Sequence, residues 1–70
     1  RLLYDSEADA AYFDIEDDVA EGLRWNVVVE RPGRGDIVLD FDAAGYLLGV
    51  EVIGARELLG TTVLDNADQA

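Results

Sequence analysis

Apolar and polar residues alternate in short runs along most of this chain, and the runs are separated by clusters of Asp, Gly and Pro. Residues 2–4 are apolar, and Asp5-Ser6-Glu7-Ala8-Asp9 follows with side chains that favour turns over ladders. Residues 11–16 then alternate strictly: Ala11, Phe13 and Ile15 fall on one side, Tyr12, Asp14 and Glu16 on the other. This predicts a first hairpin over residues 2–16. Glu16-Asp17-Asp18 interrupts the pattern, and a third strand is predicted over residues 23–30, where Trp25 and Val27, Val28 and Val29 have strong strand preference. Arg31-Pro32-Gly33-Arg34-Gly35 is the clearest break, since Pro removes a donor and Gly admits positive φ; it predicts an exposed loop. Two further strands are expected over residues 36–42 and 46–53. Gly54 ends the β pattern, and Ala55-Arg56-Glu57-Leu58-Leu59 has helix formers with Gly60 placed as a stop. In the last ten residues the β-prone patch Thr62-Val63-Leu64 precedes a polar end, expected to fray or to pair with a partner.

These elements predict an α+β fold: a small antiparallel sheet of four or five strands with a short C-terminal helix. It forms a single domain over residues 1–60, with residues 61–70 as a tail.

The stretch from Asp40 to Glu51 has two readings. Asp40, Asp42, Gly45 and Glu51 occupy positions 1, 3, 6 and 12 of an EF-hand calcium loop. Ala44 and Leu48, however, stand where ligands 5 and 9 belong, and the flanks Ile37-Val38-Leu39 and Val50-Glu51-Val52-Ile53 are β-prone where an EF-hand needs helices. Asp42-Ala43-Ala44-Gly45 reads instead as a type I turn closed by a left-handed Gly, the common three-residue hairpin connection.

That hairpin sets a register in which Asp42 faces Tyr46, Phe41 faces Leu47, Leu39 faces Gly49, Val38 faces Val50 and Ile37 faces Glu51. One face then carries Ile37, Leu39, Phe41, Leu47 and Ile53 together with Gly49 and Glu51. The other carries Val38, Tyr46, Leu48, Val50 and Val52 beside Asp36, Asp40 and Asp42. Both faces are substantially apolar on this register, so a second copy of the chain is expected to cover one of them, as a homodimer or higher homo-oligomer. Glu51, among apolar neighbours, is expected to pair with Arg24 or Arg56 or to reach solvent, with a cation site as the alternative.

Charge narrows the partners. Five Arg and no Lys stand against 16 Asp and Glu, a formal net charge of −11. Nucleic acid is excluded as a partner, since only Arg31 and Arg34 lie close together. A basic protein partner or divalent cations fit the balance better, and self-repulsion at this size points to a marginal monomer. No apolar run approaches the length of a membrane span and the first residues lack a secretion signal, so the expected location is cytoplasmic. Arg1 rather than Met at the start is expected of a piece of a longer chain.

The chemistry is sparse. With no Cys, His or Lys, disulfides, the common zinc and iron ligand sets and the familiar nucleophile–base pairs are all excluded; Ser6, Thr61, Thr62 and three Tyr are the only hydroxyls. Carboxylates remain. Asp5, Glu7 and Asp9 lie in one predicted loop, and Asp40, Asp42 and Glu51 on the other hairpin. They could build turns, serve acid–base chemistry or hold a cation. At this size an enclosed catalytic pocket is not expected, so the chain is read as no enzyme, with no cofactor. Asp40, Asp42 and Glu51 are the candidate metal ligands, and Asp5, Glu7, Asp9, Asp40, Asp42 and Tyr46 the candidate partner-binding residues.

Tyr4-Asp5-Ser6-Glu7-Ala8-Asp9-Ala10-Ala11-Tyr12 resembles the opening of the small bacterial and archaeal proteins grouped as the domain of unknown function 2283. Asp40-x-Asp42-x-x-Gly45-x-x-x-Gly49-x-Glu51 is similar to that family's second signature. The resemblance spans about residues 2–56. It departs at residues 19–35, where Arg31 to Gly35 reads as an insertion lengthening a hairpin. What the resemblance implies is a small β-rich protein without established activity, sometimes encoded near toxin-like genes, and by analogy an antitoxin-like role. The functional expectation is a non-enzymatic protein-interaction module; the alternatives are a divalent-cation-binding hairpin and, last, a carboxylate enzyme.

Overall fold

A computed structural model describes residues 1–15 and 24–70. Among the described residues six strands form one sheet: β1 (Leu2–Asp5), β2 (Ala10–Asp14), β3 (Trp25–Arg31), β4 (Gly35–Phe41), β5 (Leu47–Ile53) and β6 (Asp68–Gln69). Two short helices, α1 (Ala55–Leu59) and α2 (Thr61–Asp65), lie between β5 and β6. The strand order is β3-β4-β5-β2-β1-β6; every neighbouring pair is antiparallel except β1 and β6, which run parallel. The α+β expectation holds, with a sixth strand and a second helix beyond it. The expected break at residues 16–18 and the expected strand start at residue 23 lie outside the described residues.

The turns follow their chemistry. Asp5 Oδ1 accepts the N–H of Glu7 at 3.0 Å and of Ala8 at 3.3 Å, the Asx-turn that closes β1 onto β2. At the second hairpin the Gly45 N–H donates to Asp42 O at 3.0 Å and the Asp42 N–H to Tyr46 O at 2.9 Å, with Gly45 at φ +93°. This is the predicted turn, and it settles the EF-hand question in favour of a hairpin.

Beyond the turn the expected register is off by one residue. Phe41 does face Leu47, but Asp40 faces Gly49, Leu39 faces Val50, Val38 faces Glu51 and Ile37 faces Val52. Leu48 is the extra residue of a β-bulge, and because side chains alternate with period two, one inserted residue moves everything after it to the opposite face. Val50 and Val52 therefore join Ile37 and Leu39, while Gly49, Glu51 and Ile53 join Asp36, Val38 and Asp40. The two mixed faces expected from the sequence become one apolar face and one acidic face.

The helices cover the apolar face over β1, β2 and β5. Ala11, Val52, Ala55 and Leu64 are buried there, with Leu2, Tyr4, Val50, Leu58 and Leu59 packed around them. Gly60 ends α1 as predicted, its N–H donating to Arg56 O at 3.2 Å. The tail differs from expectation: Thr62-Val63-Leu64 is helical, because α2 turns Leu64 onto Ala11 and Val52, and that burial outweighs the β preference of Thr and Val. After α2 the chain returns to the sheet, where β6 pairs with β1 (Leu3 to Asp68, Tyr4 to Gln69) and Arg1 Nε meets Asp68 Oδ2 at 3.1 Å. The thinnest dimension, 17 Å, is that of a sheet with a single helical layer.

Candidate functional site

Alternation along the strands brings Asp14, Glu30, Asp36, Asp40 and Glu51 to the sheet face opposite the helices. The apolar side chains among them are Leu3, Tyr12, Val28, Val38 and Ile53. None of these five carboxylates has an ion pair among the described residues, where the two ion pairs are Arg1 with Asp68 and Arg56 with Asp9. Glu51 thus pairs with neither Arg24 nor Arg56.

A row of side chains crosses this face from strand to strand. Tyr12 of β2 lies over Gly49 of β5 so that its Oη donates to Asp40 Oδ2 of β4 at 3.3 Å, and Asn26 Nδ2 of β3 donates to Asp40 Oδ1. Gly49 makes the crossing possible. A Cβ there would stand 2.5 Å from Tyr12 Cζ and 2.9 Å from Phe13 O, so any side chain would drive the ring away. Partial burial raises the Tyr12 phenol above its ordinary pKa of 10.0, reinforced by the charge and hydrogen bond of Asp40, while Arg24 works against the rise. Tyr12 therefore stays a donor.

Beside this row the face dips into an open depression of about 280 Å³, lined by Leu3, Asp5, Ala10, Ala11, Tyr12, Glu51 and Ala70. Its lining is mainly aliphatic and aromatic, and its two charged side chains are the acids Asp5 and Glu51. An apolar lining with two carboxylates in it suits a long aliphatic stem ending in a cation, the shape of a Lys or Arg side chain.

The sequence-predicted residues divide by what their side chains already do. Asp5 and Asp42 hold turns; Asp42 Oδ1 accepts from Ala44 and Tyr46 N–H, both at 2.9 Å. Asp9 is a junction. At φ +52° its Oδ1 accepts from Tyr4 Oη at 2.9 Å and from Arg56 N–H in the first turn of α1 at 3.1 Å, and Arg56 Nη1 stands 3.9 Å away. Burial first, and then the hydrogen bond to Asp9, raise the Tyr4 phenol, whereas Arg56, 6.0 Å from the ring centre, lowers it. Glu7 is exposed in the β1–β2 turn, and Tyr46 is exposed beside the second turn.

The metal candidates are dispersed: Asp40 and Glu51 share the acidic face, but Asp42 is engaged at the hairpin tip. Among the described residues no group of three or more Asp and Glu is spaced to hold a metal ion. Sequence reasoning missed Tyr12, Asn26 and Arg56 as members of these networks. Gly49, a lone Gly inside an apolar strand, was the available signal for a close approach.

Both motif segments therefore have a structural account: the first builds the Asp5 turn and the Tyr4–Asp9 junction, the second the hairpin tip and the glycine under Tyr12. A family profile for a protein of unknown function, DUF2283, matches residues 1–56 of the chain. The chain belongs to the DUF2283 family. The DUF2283 match ends within α1, so Leu58, Leu59 and Leu64, which help to cover the core, lie past it. Neither a search of curated proteins nor a search of solved structures gives a match. No helix among the described residues is long and apolar enough to cross a membrane.

Proposed function

We propose that this DUF2283 protein is a non-enzymatic interaction module that receives a basic protein partner on the acidic face of its sheet. The observation that supports this most is the segregation of charge: five carboxylates without an ion pair among the described residues share one face with Leu3, Tyr12, Val28, Val38 and Ile53. A basic, partly apolar surface gains there on two counts, since it relieves carboxylate repulsion and buries the apolar ground between the charges. The depression by Glu51 is the anchoring point for a Lys or Arg of that partner. An antitoxin-like role, in which this acidic chain covers a basic protein, is the narrowest form of the proposal.

A short peptide alternating Lys and Val, titrated into isotopically labelled protein, tests it. The expected result is that the amides of Leu3, Ala10, Tyr12 and Glu51 shift together and that the shifts weaken with added salt. Glu51→Gln should lower affinity by about two- to five-fold, the range for a partly exposed ion pair. Equal binding by a peptide alternating Glu and Val, or shifts confined to another surface, would overturn the proposal.

A further inference from the structure

We infer that β3 is a self-pairing edge, joining two copies of the chain into one continuous sheet through an antiparallel β3–β3 contact centred on Val28. The inference concerns the rim of the sheet and stands apart from partner binding on the acidic face.

Three observations carry it. First, β3 is a long open edge. All seven of its residues are exposed, its register against β4 is unbroken, and among the described residues no strand pairs with its outer side. Between Trp25 and Arg31 the edge has no Pro, no Lys and no bulge to block pairing, and its charges, Glu30 and Arg31, lie at one end. The opposite edge, β6, has only two residues.

Second, the backbone selects the register. The Arg34 N–H donates to Arg31 O at 2.9 Å within the β3–β4 turn, so the Arg31 carbonyl points toward the β4 side. Backbone direction alternates along a strand, so Val29, Val27 and Trp25 also bond toward β4, which leaves the N–H and C=O of Asn26, Val28 and Glu30 directed outward. A two-fold axis through Val28 sets Val28 against Val28 and Asn26 against Glu30 of the second copy, which satisfies the three outward N–H and three outward C=O groups of each copy.

Third, side chains and charge match in that same register. Trp25 stands beside Arg31 of the other copy, Asn26 beside Glu30 and Val27 beside Val29: a cation over an aromatic ring, an amide beside a carboxylate, and two β-branched pairs. Like copies of a chain of charge −11 repel over most of their surface. Residues 24–34 are the exception, with Arg24, Arg31 and Arg34 against the single acid Glu30. This edge is therefore where two copies approach with least repulsion. The contact also brings the exposed apolar residues Trp25, Val27 and Val29 of both copies onto one side of the joined sheet.

The full chain should sediment at twice its 7.6 kDa mass. Val28→Pro removes an outward N–H and no β3–β4 hydrogen bond, so it should abolish the dimer while the far-ultraviolet spectrum of the sheet persists; Val28→Thr, which keeps the N–H and the branched shape, should remain dimeric. Val28→Cys, placed across the axis from its own copy, should form a covalent dimer on mild oxidation, and Thr62→Cys on exposed α2 should not. A wild-type monomer at the highest soluble concentration refutes the inference. So does a Val28→Pro dimer as strong as wild type, which would place the contact on the sheet face, or a Val28→Cys protein that does not cross-link preferentially over Thr62→Cys. These outcomes leave the peptide titration of the acidic face unaffected, so the two proposals fail separately.

Discussion

Substituting Gly49 by Ala tests whether the row of side chains across the acidic face holds the sheet together. The new methyl would sit 2.5 Å from Tyr12 Cζ and 2.9 Å from Phe13 O. The ring is the more movable of the two and must swing off β5. That breaks the 3.3 Å bond from Tyr12 Oη to Asp40, worth about 1 kcal/mol for a long, partly exposed contact. Displacing a packed ring adds about 1–2 kcal/mol of overpacking and lost burial. Ala returns about 0.5 kcal/mol through its smaller backbone entropy loss. The expected net destabilisation is about 2 kcal/mol. In a Tyr12→Ala background the ring is gone but the methyl still meets the Phe13 carbonyl at 2.9 Å, a backbone atom that must shift to admit it, so Gly49→Ala should then cost about 1 kcal/mol. The coupling between the two positions should thus be about 1 kcal/mol. Urea unfolding followed by far-ultraviolet circular dichroism, at one fixed protein concentration, measures all four proteins. Equal costs of Gly49→Ala in both backgrounds would falsify the account, since the glycine would then be required for some reason other than Tyr12.

Two further outcomes follow from the hydrogen-bond networks. Asp9→Ala removes the acceptor shared by Tyr4 Oη and the Arg56 N–H and puts a residue ill suited to φ +52° at the β1–β2 turn; it should destabilise by about 2–3 kcal/mol, whereas Asp9→Asn, which keeps an acceptor and tolerates that conformation, should cost about 1 kcal/mol in the same unfolding assay. Both Tyr4 and Tyr12 have phenol pKa values raised above 10.0 in the folded protein, so each contributes stability that is fully present below the ordinary tyrosine value and is lost as pH rises through the folded one. Urea midpoints recorded from about pH 9 to about pH 11 should fall, and Tyr12→Phe should flatten the fall; an unchanged slope in that variant would remove Tyr12 from the explanation.

Local chemistry made much of the fold legible. Gly45 after Asp42-Ala43-Ala44 specifies its turn because few other residues take φ near +93°, and Gly60 after a run of helix formers specifies the end of α1. What could not be read required knowledge of neighbours. The bulge at Leu48 leaves no mark in composition, since Leu-Leu is equally apolar in either register, yet it decides which face receives Glu51. Thr62-Val63-Leu64 is strand-like by preference and helical by packing, because Leu64 finds Ala11 and Val52. Asp9 reads as a turn residue, but two of its partners, Gly54 and Arg56, stand more than forty residues further along the chain. At the site the acidic residues were visible as a composition, and their division into turn builders and an unpaired face was not. That division depends on which carboxylates the backbone reaches first, as it does at Asp5 and Asp42.

The line from Tyr12 through Gly49 and Asp40 to Asn26 also runs across a seam in the chain. The β1–β2 hairpin ends by residue 15, and β3, β4 and β5 form a meander that begins at residue 25; the two blocks meet along the β2–β5 ladder, from Ala10 against Ile53 to Asp14 against Gly49. Tyr12 belongs to one block and its glycine floor to the other. Each motif segment is thus half of an internal lock and key, and the protein is built as a pair of complementary fragments that happen to share one covalent chain. Severing it between residues 15 and 24 would leave the β1–β2 hairpin as one piece and the other strands in the second, to be rejoined along the β2–β5 and β1–β6 ladders with Tyr12 seated on Gly49.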